Sequence, residues 1–301
     1  MTKKFIAGGC SFTFGHELSD DIKGKNPSQK AWGSLLHKLR KDNTTEYLCV
    51  ASPGSGNCGI ARRVFNAIST NNVDSVVVMW SYLSRYDWAM SRHISLEGTR
   101  WASLSPWDTD KEQGRVFERL QNNAGQLETW NQRREIAKQN GTTAFAEAIY
   151  KYGANQYHEA YLSWKSIIWL QNILEKKKIP FMFTLADNSL FYDYQAHLKD
   201  LDGLMSALHN EIDLSKWFSF GERMMGFNQW AGLNEYEYAT THPLDKAHQD
   251  AVQLMLPTFK KTNRREIMFT WIKNLWLKFK QERAYRKRLK ELKKKDPFIY
   301  K

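Results

Sequence analysis

Short apolar runs rich in β-branched residues alternate with amphipathic stretches along the chain. Four of these runs predict buried strands, at residues 4–9, 46–51, 75–80 and 180–186. Between them, apolar residues recur every three or four positions and predict helices at residues 31–41, 57–68 and 159–178. Near-continuous apolar strands that alternate with helices are typical of a parallel sheet covered on both faces. The pattern therefore predicts an α/β fold of the flavodoxin-like kind, a three-layer sandwich with a central parallel sheet.

Two segments do not follow this alternation. Residues 87–155 and 187–235 show weak periodicity, and the first is rich in Trp, Arg, Gln and Asn. We expect both to be insertions beside the sheet, the first partly helical and the second a mixture of helix and loop. Insertions after strand ends commonly build substrate pockets. One domain over residues 1–259 would contain both insertions.

The C-terminal segment has a different composition. Residues 260–301 hold 16 of the 44 Lys and Arg residues and four of the 32 Asp and Glu residues. Their net charge is therefore +12, and the rest of the chain is neutral. Large apolar side chains recur at residues 268, 271, 272, 275, 276 and 279. This spacing predicts a basic amphipathic helix as a separate tail, with Asn263 and Glu266 resembling a capping box at its start.

The predicted tail helix is compatible with several binding partners. Its apolar stripe suits packing on the chain's own body, a homo-oligomer or assembly partner reached through residues 262–295, or the surface of an anionic membrane. Its basic face also suits nucleic acid. Of these, docking on protein is the expectation that we favour. The pI of about 9.4 describes the tail and says nothing of the body.

Cysteine usage and hydropathy restrict the class of protein. Cys10, Cys49 and Cys58 have neither metal-ligand spacing nor a disulfide pattern, and free thiols in a reducing compartment are expected. No run of about 18 apolar residues occurs. The apolar stretch near the N-terminus is too short for a secretory signal peptide.

The candidate catalytic residues lie in loops at or near the predicted strand ends. Ligands of open parallel sheets bind beyond the carboxyl ends of the strands. Ser11, Gly54 and Ser81 follow the first three predicted strands, and His242 lies in a late loop before a helix. A serine nucleophile needs a base and N–H donors for the oxyanion. His242 suits the first need, and the glycine-rich loop at residues 52–57 suits the second.

The same residues lie in motifs of a known family. The stretch "GGCSFTFG" at residues 8–15 resembles the first block of the SGNH (GDSL-like) hydrolases, with Cys10 where Asp is usual. "YLCVASPGSGNCGIARRV" resembles their second block, "VVVMWSYLSRYDW" the third as in phage-encoded members, and "HPLDKAHQDAV" the last. The match covers islands within residues 3–256. It implies Ser11 as nucleophile, His242 as base, and Gly54 and Ser81 as oxyanion donors. Ser81 is the residue nearest to the position where the family's third block usually has an oxyanion-binding Asn.

The last block departs from the family pattern. The family's acid lies three residues before the His, and Ala239 occupies that position. Asp245 and Glu237 are the nearest candidate acids in sequence. The sequence is therefore compatible with three kinds of site: a Ser–His dyad without an acid, a triad whose carboxylate comes from elsewhere in the chain, and a site that has lost its activity. His16 is a rival base, although its early position favours a structural or rim role.

Two classes of function follow. The first is a serine esterase that hydrolyses small O-acyl esters, with O-acetyl groups on carbohydrate as the class that the resemblance implies, and that needs no metal or cofactor. The second is non-enzymatic: an SGNH-like phage virion or assembly protein that docks through its C-terminal helix, or a binding module directed by its tail to membrane or nucleic acid. Ala239 favours the second class, and the intact first block favours the first. The phage-like blocks imply a location in the cytoplasm of a host cell or in a virion.

Overall fold

The structure is a computed structural model. It describes residues 2–22, 24–40, 44–90, 100–109, 124–192 and 203–263. The predicted tail helix lies almost wholly outside these ranges, so its partners and the domain division stay predictions. The described residues up to Thr262 form one compact unit. Within the described ranges, no helix has the length and apolar character that crossing a bilayer requires.

A four-stranded parallel sheet lies at the centre of the fold, and the predicted strands are confirmed. Its strands are β1 (Lys3–Gly8), β2 (Thr45–Cys49), β3 (Val73–Trp80) and β6 (Phe181–Leu185), in the order β2-β1-β3-β6. All three pairings are parallel. Parallel neighbours need long crossover connections, and helices lie in each of these connections. The carboxyl ends of the strands therefore meet at one edge of the sheet.

Nine helices accompany the strands within the described residues. They are α1 (Ser11–Phe14), α2 (Trp32–Leu39), α3 (Asn57–Thr70), α4 (Ala124–Gln139), α5 (Thr142–Ala148), α6 (Gln156–Lys176), α7 (Leu204–Asn210), α8 (Phe227–Leu233) and α9 (Asp245–Asn263). Short 3-10 turns occupy Pro106–Asp108, Asn188–Leu190 and Leu214–Lys216, and a π-turn occupies Ile149–Gly153.

The sheet separates two apolar cores, which makes the fold a three-layer α/β sandwich as predicted. Successive side chains of a strand point to opposite faces. Ile6 and Val76 pack on one face with α3 and α6, whereas Phe5 and Val77 pack on the other with α2, α8 and α9. Helices thus cover both faces of the sheet, and the carboxyl edge is left to the loops.

The first insertion contains an antiparallel hairpin that the sequence pattern does not predict. Its strands are β4 (Tyr86–Ala89) and β5 (Trp101–Leu104). Each strand has only four residues, and polar residues interrupt the apolar ones, so the period is too short to recognise. Asp87 anchors the hairpin on α3, because its carboxylate accepts a hydrogen bond from the Gly59 N–H at 2.9 Å.

Asn57 fixes the carboxyl end of β3 to the first turn of α3. Its Oδ1 accepts a hydrogen bond from the Ser81 N–H at 2.8 Å, and its Nδ2 donates to the Ser81 carbonyl at 3.2 Å and to Ser163 Oγ at 3.0 Å. All three residues are buried. One amide therefore pairs both backbone groups of the residue that follows the strand.

We expect Asn57→Ala to lower the free energy of unfolding by about 1–3 kcal/mol, because buried Ser81 groups lose their partners. Urea denaturation measures this change. Asn66→Ala, on the exposed side of the same helix, is the matched control and should change the free energy by less than about 0.5 kcal/mol. Equal effects of the two substitutions would contradict the assigned role of Asn57.

Candidate active site

Ser11 begins α1 directly after β1. The Phe14 N–H bonds the Cys10 carbonyl at 3.0 Å, and the Gly15 N–H bonds the Ser11 carbonyl at 2.9 Å. Gly15 ends the helix with a φ of 80°, a left-handed conformation that favours glycine. A helix has no internal acceptor for its first N–H groups. The serine hydroxyl and a backbone N–H are therefore presented together at the carboxyl edge of the sheet.

His242 lies within hydrogen-bond distance of Ser11. Its Nε2 is 2.7 Å from Ser11 Oγ, although the two residues are 231 positions apart in sequence. The imidazole packs edge-on against the Phe12 ring, with centroids 4.8 Å apart. Only 6% of the surface of Ser11 and 8% of that of His242 is exposed. The structure thus brings together the predicted nucleophile and the predicted base.

The carboxylate beside His242 is Glu17, which the sequence motifs do not single out. Glu17 Oε2 lies 2.8 Å from His242 Nδ1, on the side of the ring away from Ser11. The same oxygen accepts the backbone N–H of Thr241 at 3.0 Å and that of His242 at 3.2 Å. Ser11, His242 and Glu17 therefore form one hydrogen-bonded chain, the geometry of a serine–histidine–acid triad.

A tight turn aims Glu17 at the imidazole. Glu17 has a φ of 69°, in the left-handed region that is uncommon for residues other than glycine. Its N–H donates to Asp21 Oδ2 at 2.9 Å, and Asp21 Oδ1 accepts the Gly24 N–H at 2.8 Å. The only sequence signal for this arrangement was a carboxylate placed two residues after the glycine that ends α1.

The surroundings keep Glu17 ionised. Burial raises the pKa of its carboxyl group. Hydrogen bonding to His242, the positive charge of the protonated imidazole and the Thr241 N–H outweigh burial and bring the pKa down to about 2. An ionised carboxylate at this position orients the imidazole and stabilises its protonated form.

The carboxylates expected as the acid lie elsewhere, which corrects the prediction. Asp245 accepts the Ser19 N–H at 3.1 Å and the Lys30 ammonium at 2.8 Å. It therefore ties the segment after Glu17 to the start of α9. Glu237 borders a cavity of about 460 Å³ that Glu17 and Asp245 also line. The carboxylate that contacts His242 Nδ1 is that of Glu17, because the left-handed turn at Glu17 directs its side chain toward the ring.

Gly54 lies in an open part of the second strand-end loop. Its φ is 78°, and among the described residues, its two chain neighbours aside, no heavy atom lies within 4 Å of the position that a Cβ would occupy. The loop is held to the segment between β1 and Ser11, because the Ser52 N–H donates to the Gly9 carbonyl at 3.3 Å. Ser55 Oγ closes the loop by donating to the Ser52 carbonyl at 2.6 Å.

Ser81 does not present its hydroxyl as predicted. The residue has no exposed surface, and its backbone is paired with Asn57. Its Oγ accepts a hydrogen bond from Arg85 Nη1 at 2.9 Å. A bound substrate would have no surface of Ser81 to contact, contrary to its expected part as an oxyanion donor.

His16 lies at the rim of the site. Its ring centroid is 5.5 Å from that of His242, and its Nε2 is 4.0 Å from Asp21 Oδ2. His16, Glu17 and His242 each offer a ligand atom within 4.8 Å of the others. However, Glu17 and His242 already bond each other, and His242 bonds Ser11. These contacts favour a proton-transfer chain over a cation site.

His248 supports the loop that carries His242. The residue is buried, and its Nδ1 accepts the Trp32 N–H at 3.1 Å. Burial lowers the pKa of His248 to about 3, and the charge on His242 adds to this effect, against a hydrogen bond to the Pro243 backbone. The ring is therefore neutral, accepts at Nδ1 and donates to Pro243 through Nε2. It joins the first turn of α2 to the residue that follows His242.

Comparison with known proteins gives distant structural matches. No protein-family model and no curated protein sequence matches the chain. The psychrotrophic esterase EstA from Pseudoalteromonas sp. is 11% identical, with a TM-score of 0.42 over 86% of this chain and 97% of that chain. A member of the lipolytic protein G-D-S-L family from Veillonella parvula DSM 2008 is 10% identical, with a TM-score of 0.37 over 86% and 97%. The acetyl xylan esterase Est2A from Butyrivibrio proteoclasticus is 10% identical, with a TM-score of 0.38 over 86% and 64%.

Replacement of Glu17 should remove a pH-dependent part of the stability. Because the folded-state pKa is about 2, against an ordinary value of 4.5, this stabilisation is present above pH 4.5 and lost as the pH falls towards 2. We expect Glu17→Gln to lower the free energy of unfolding at pH 7 by about 1–3 kcal/mol and by much less near pH 2. Urea denaturation across this range measures the difference. Glu175→Gln, at an exposed position of α6, is the control, and parallel pH curves for the parent and Glu17→Gln would contradict the prediction.

His248→Leu should lower the free energy of unfolding by about 2–4 kcal/mol, because the buried Trp32 N–H and Pro243 carbonyl both lose a partner. His248→Asn can keep the acceptor, and His248→Gln can keep the donor, so both should be more stable than the Leu variant. Denaturant titration ranks the three proteins. A Leu variant as stable as the parent would show that the imidazole does not bridge these two segments.

Proposed function

We propose that the chain is a serine ester hydrolase in which Ser11 is the nucleophile, His242 the base and Glu17 the acid. The observation that carries the proposal is the hydrogen-bonded chain from Ser11 Oγ through the imidazole to Glu17 Oε2, with distances of 2.7 and 2.8 Å. Its position at the carboxyl edge of a parallel sheet, where ligands of such folds bind, supports the same conclusion.

The reaction follows from this chain of groups. His242 Nε2 takes the Ser11 proton as Oγ attacks the ester carbonyl carbon, and a tetrahedral oxyanion forms. The protonated Nε2 then gives that proton to the departing alcohol, leaving an acyl group on Ser11. Water, deprotonated by the same nitrogen, attacks the acyl carbon, and the carboxylic acid leaves as Oγ recovers its proton.

Backbone N–H groups would stabilise the oxyanion. The Ser11 N–H is the first of α1, so no group within the helix can accept it. The Gly54 N–H belongs to the loop that Ser52 holds against the segment between β1 and Ser11. Donors fixed in advance by the fold stabilise developing charge without reorganisation.

Glu17 also explains how an esterase could function with Ala239 in its last block. The acid comes from the loop that follows the nucleophile, and the position three residues before His242 need not hold a carboxylate. The non-enzymatic alternative, a virion or assembly protein, had its main support in Ala239. The hydrogen-bonded triad removes that support and favours the enzyme.

The substrate that we propose is a small O-acyl ester, with O-acetyl groups on carbohydrate as the class that the sequence motifs imply. Ser11 and His242 expose little of their surface, and the proposed nucleophile is therefore approached through a small opening. A confined nucleophile favours a short acyl group such as acetyl over a long fatty acyl chain. The mechanism uses side chains and backbone groups alone and requires no cofactor.

Ser11→Ala should reduce hydrolysis of phenyl acetate to the rate of the buffer, because the attacking oxygen is lost. Phenol release measures the activity, and mass spectrometry after treatment with a fluorophosphonate should place the label on Ser11. Ser69→Ala, an exposed serine of α3, is the matched control and should keep the activity and the label. Equal turnover by Ser11→Ala and the parent would refute the proposed nucleophile.

A further inference from the structure

Arg85 places a positive charge near the carboxyl end of β3. Its Nη1 donates to Ser81 Oγ at 2.9 Å, and its guanidinium carbon lies 5.1 Å from the centre of the Tyr82 ring. Among the described residues, no carboxylate lies within ion-pair distance of this guanidinium. The side chain is half-buried. Arg85 is therefore held in place on one side and keeps N–H donors that these contacts do not use.

Three observations place Arg85 near the proposed active site. Its carbonyl oxygen lies 2.5 Å from the position that a Cβ of Gly56 would take, so its backbone packs on the loop that carries Gly54. The Tyr82 ring beneath the guanidinium lies 6.5 Å from the Phe12 ring, next to the nucleophile. Strands β1 and β3 are direct neighbours, so the loops after them lie side by side.

Asp108 interacts electrostatically with Arg85, and Asp187 with Tyr82, but both carboxylates are hydrogen-bonded elsewhere. Asp108 accepts the Ser105 N–H at 2.7 Å and its hydroxyl at 2.8 Å. Asp187 accepts the Ser189 N–H at 2.9 Å. Both carboxylates cap short 3-10 turns, and neither neutralises Arg85 by direct contact. The guanidinium therefore keeps the capacity to bind an anion from outside the chain.

We propose that Arg85 binds a carboxylate of the ester substrate, so that the preferred substrate is an acyl ester of a carboxylate-bearing alcohol, such as an acylated acidic sugar. This inference rests on the proposed esterase function. The planar guanidinium binds a carboxylate through two parallel hydrogen bonds, which a lysine cannot reproduce. Contact with Ser81 Oγ occupies one of its five N–H groups.

The position of Arg85 favours a substrate carboxylate over the oxyanion. Oxyanion donors must lie about 3 Å from the developing charge, a place that the Ser11 and Gly54 N–H groups are proposed to fill. Arg85 contacts Ser81 and Tyr82 in the loop that follows β3, the strand paired with β1. The anion that it meets therefore belongs to a part of the substrate beside the reacting ester.

The experiment compares 3-acetoxybenzoate with phenyl acetate, because both carry the acetyl ester and only the first carries a carboxylate. For each protein, the ratio of kcat/KM between the two esters cancels effects common to both. We expect Arg85→Gln to lower this ratio about tenfold or more, Arg85→Lys to lower it less, and Lys165→Gln, which removes an exposed charge on α6, to leave it unchanged.

An unchanged ratio in Arg85→Gln, whether both activities are kept or both fall equally, would overturn the proposal. Calorimetric binding of 3-acetoxybenzoate to Ser11→Ala, with and without Arg85→Gln, tests recognition apart from catalysis. Tenfold weaker binding on loss of Arg85 supports the subsite, and equal binding refutes it. If the parent hydrolyses neither ester but binds 3-acetoxybenzoate through Arg85, the proposed function fails while the anion site stands.

Discussion

The site depends on one carboxylate oxygen. Glu17 Oε2 accepts two consecutive backbone N–H groups, from Thr241 and His242, and the imidazole Nδ1 as well. A single buried charge thus fixes the position of the loop and the orientation of the ring that it carries. Without this carboxylate, the loop would lose the acceptor for both N–H groups, and the imidazole would lose the group that fixes its tautomer.

This oxygen can act only because both ends of the described chain are held against each other. The segment after Glu17 is attached to α9 through Asp245, and the loop after His242 is attached to α2 through His248. Ser11 is fixed separately, by the end of β1 and the left-handed Gly15. Residues far apart in sequence therefore meet only in the complete sandwich, and the chemistry requires the whole fold.

The sequence pattern was sufficient to predict features that depend on local residue preferences. Apolar, β-branched runs marked the four parallel strands. The position of Ser11 after the first strand and that of His242 in a late loop, together with the family resemblance, made them the candidate pair whose side chains lie 2.7 Å apart. The pattern was insufficient where a tertiary contact decides. Glu17 depends on a left-handed turn that no periodicity reveals, and Ser81 is buried because Asn57 pairs its backbone. The four-residue strands of the hairpin are too short to show a period.

The proposed nucleophile and the proposed acid lie within seven consecutive residues, from Ser11 to Glu17. Only the proposed base, His242, is contributed from the far end of the described chain. A search that requires an acid three residues before the histidine would not recognise this arrangement, because it would find Ala239 there. Because Glu17 contacts the imidazole, the position three residues before His242 has no part in the proposed triad, and Ala239 at that position does not argue against activity.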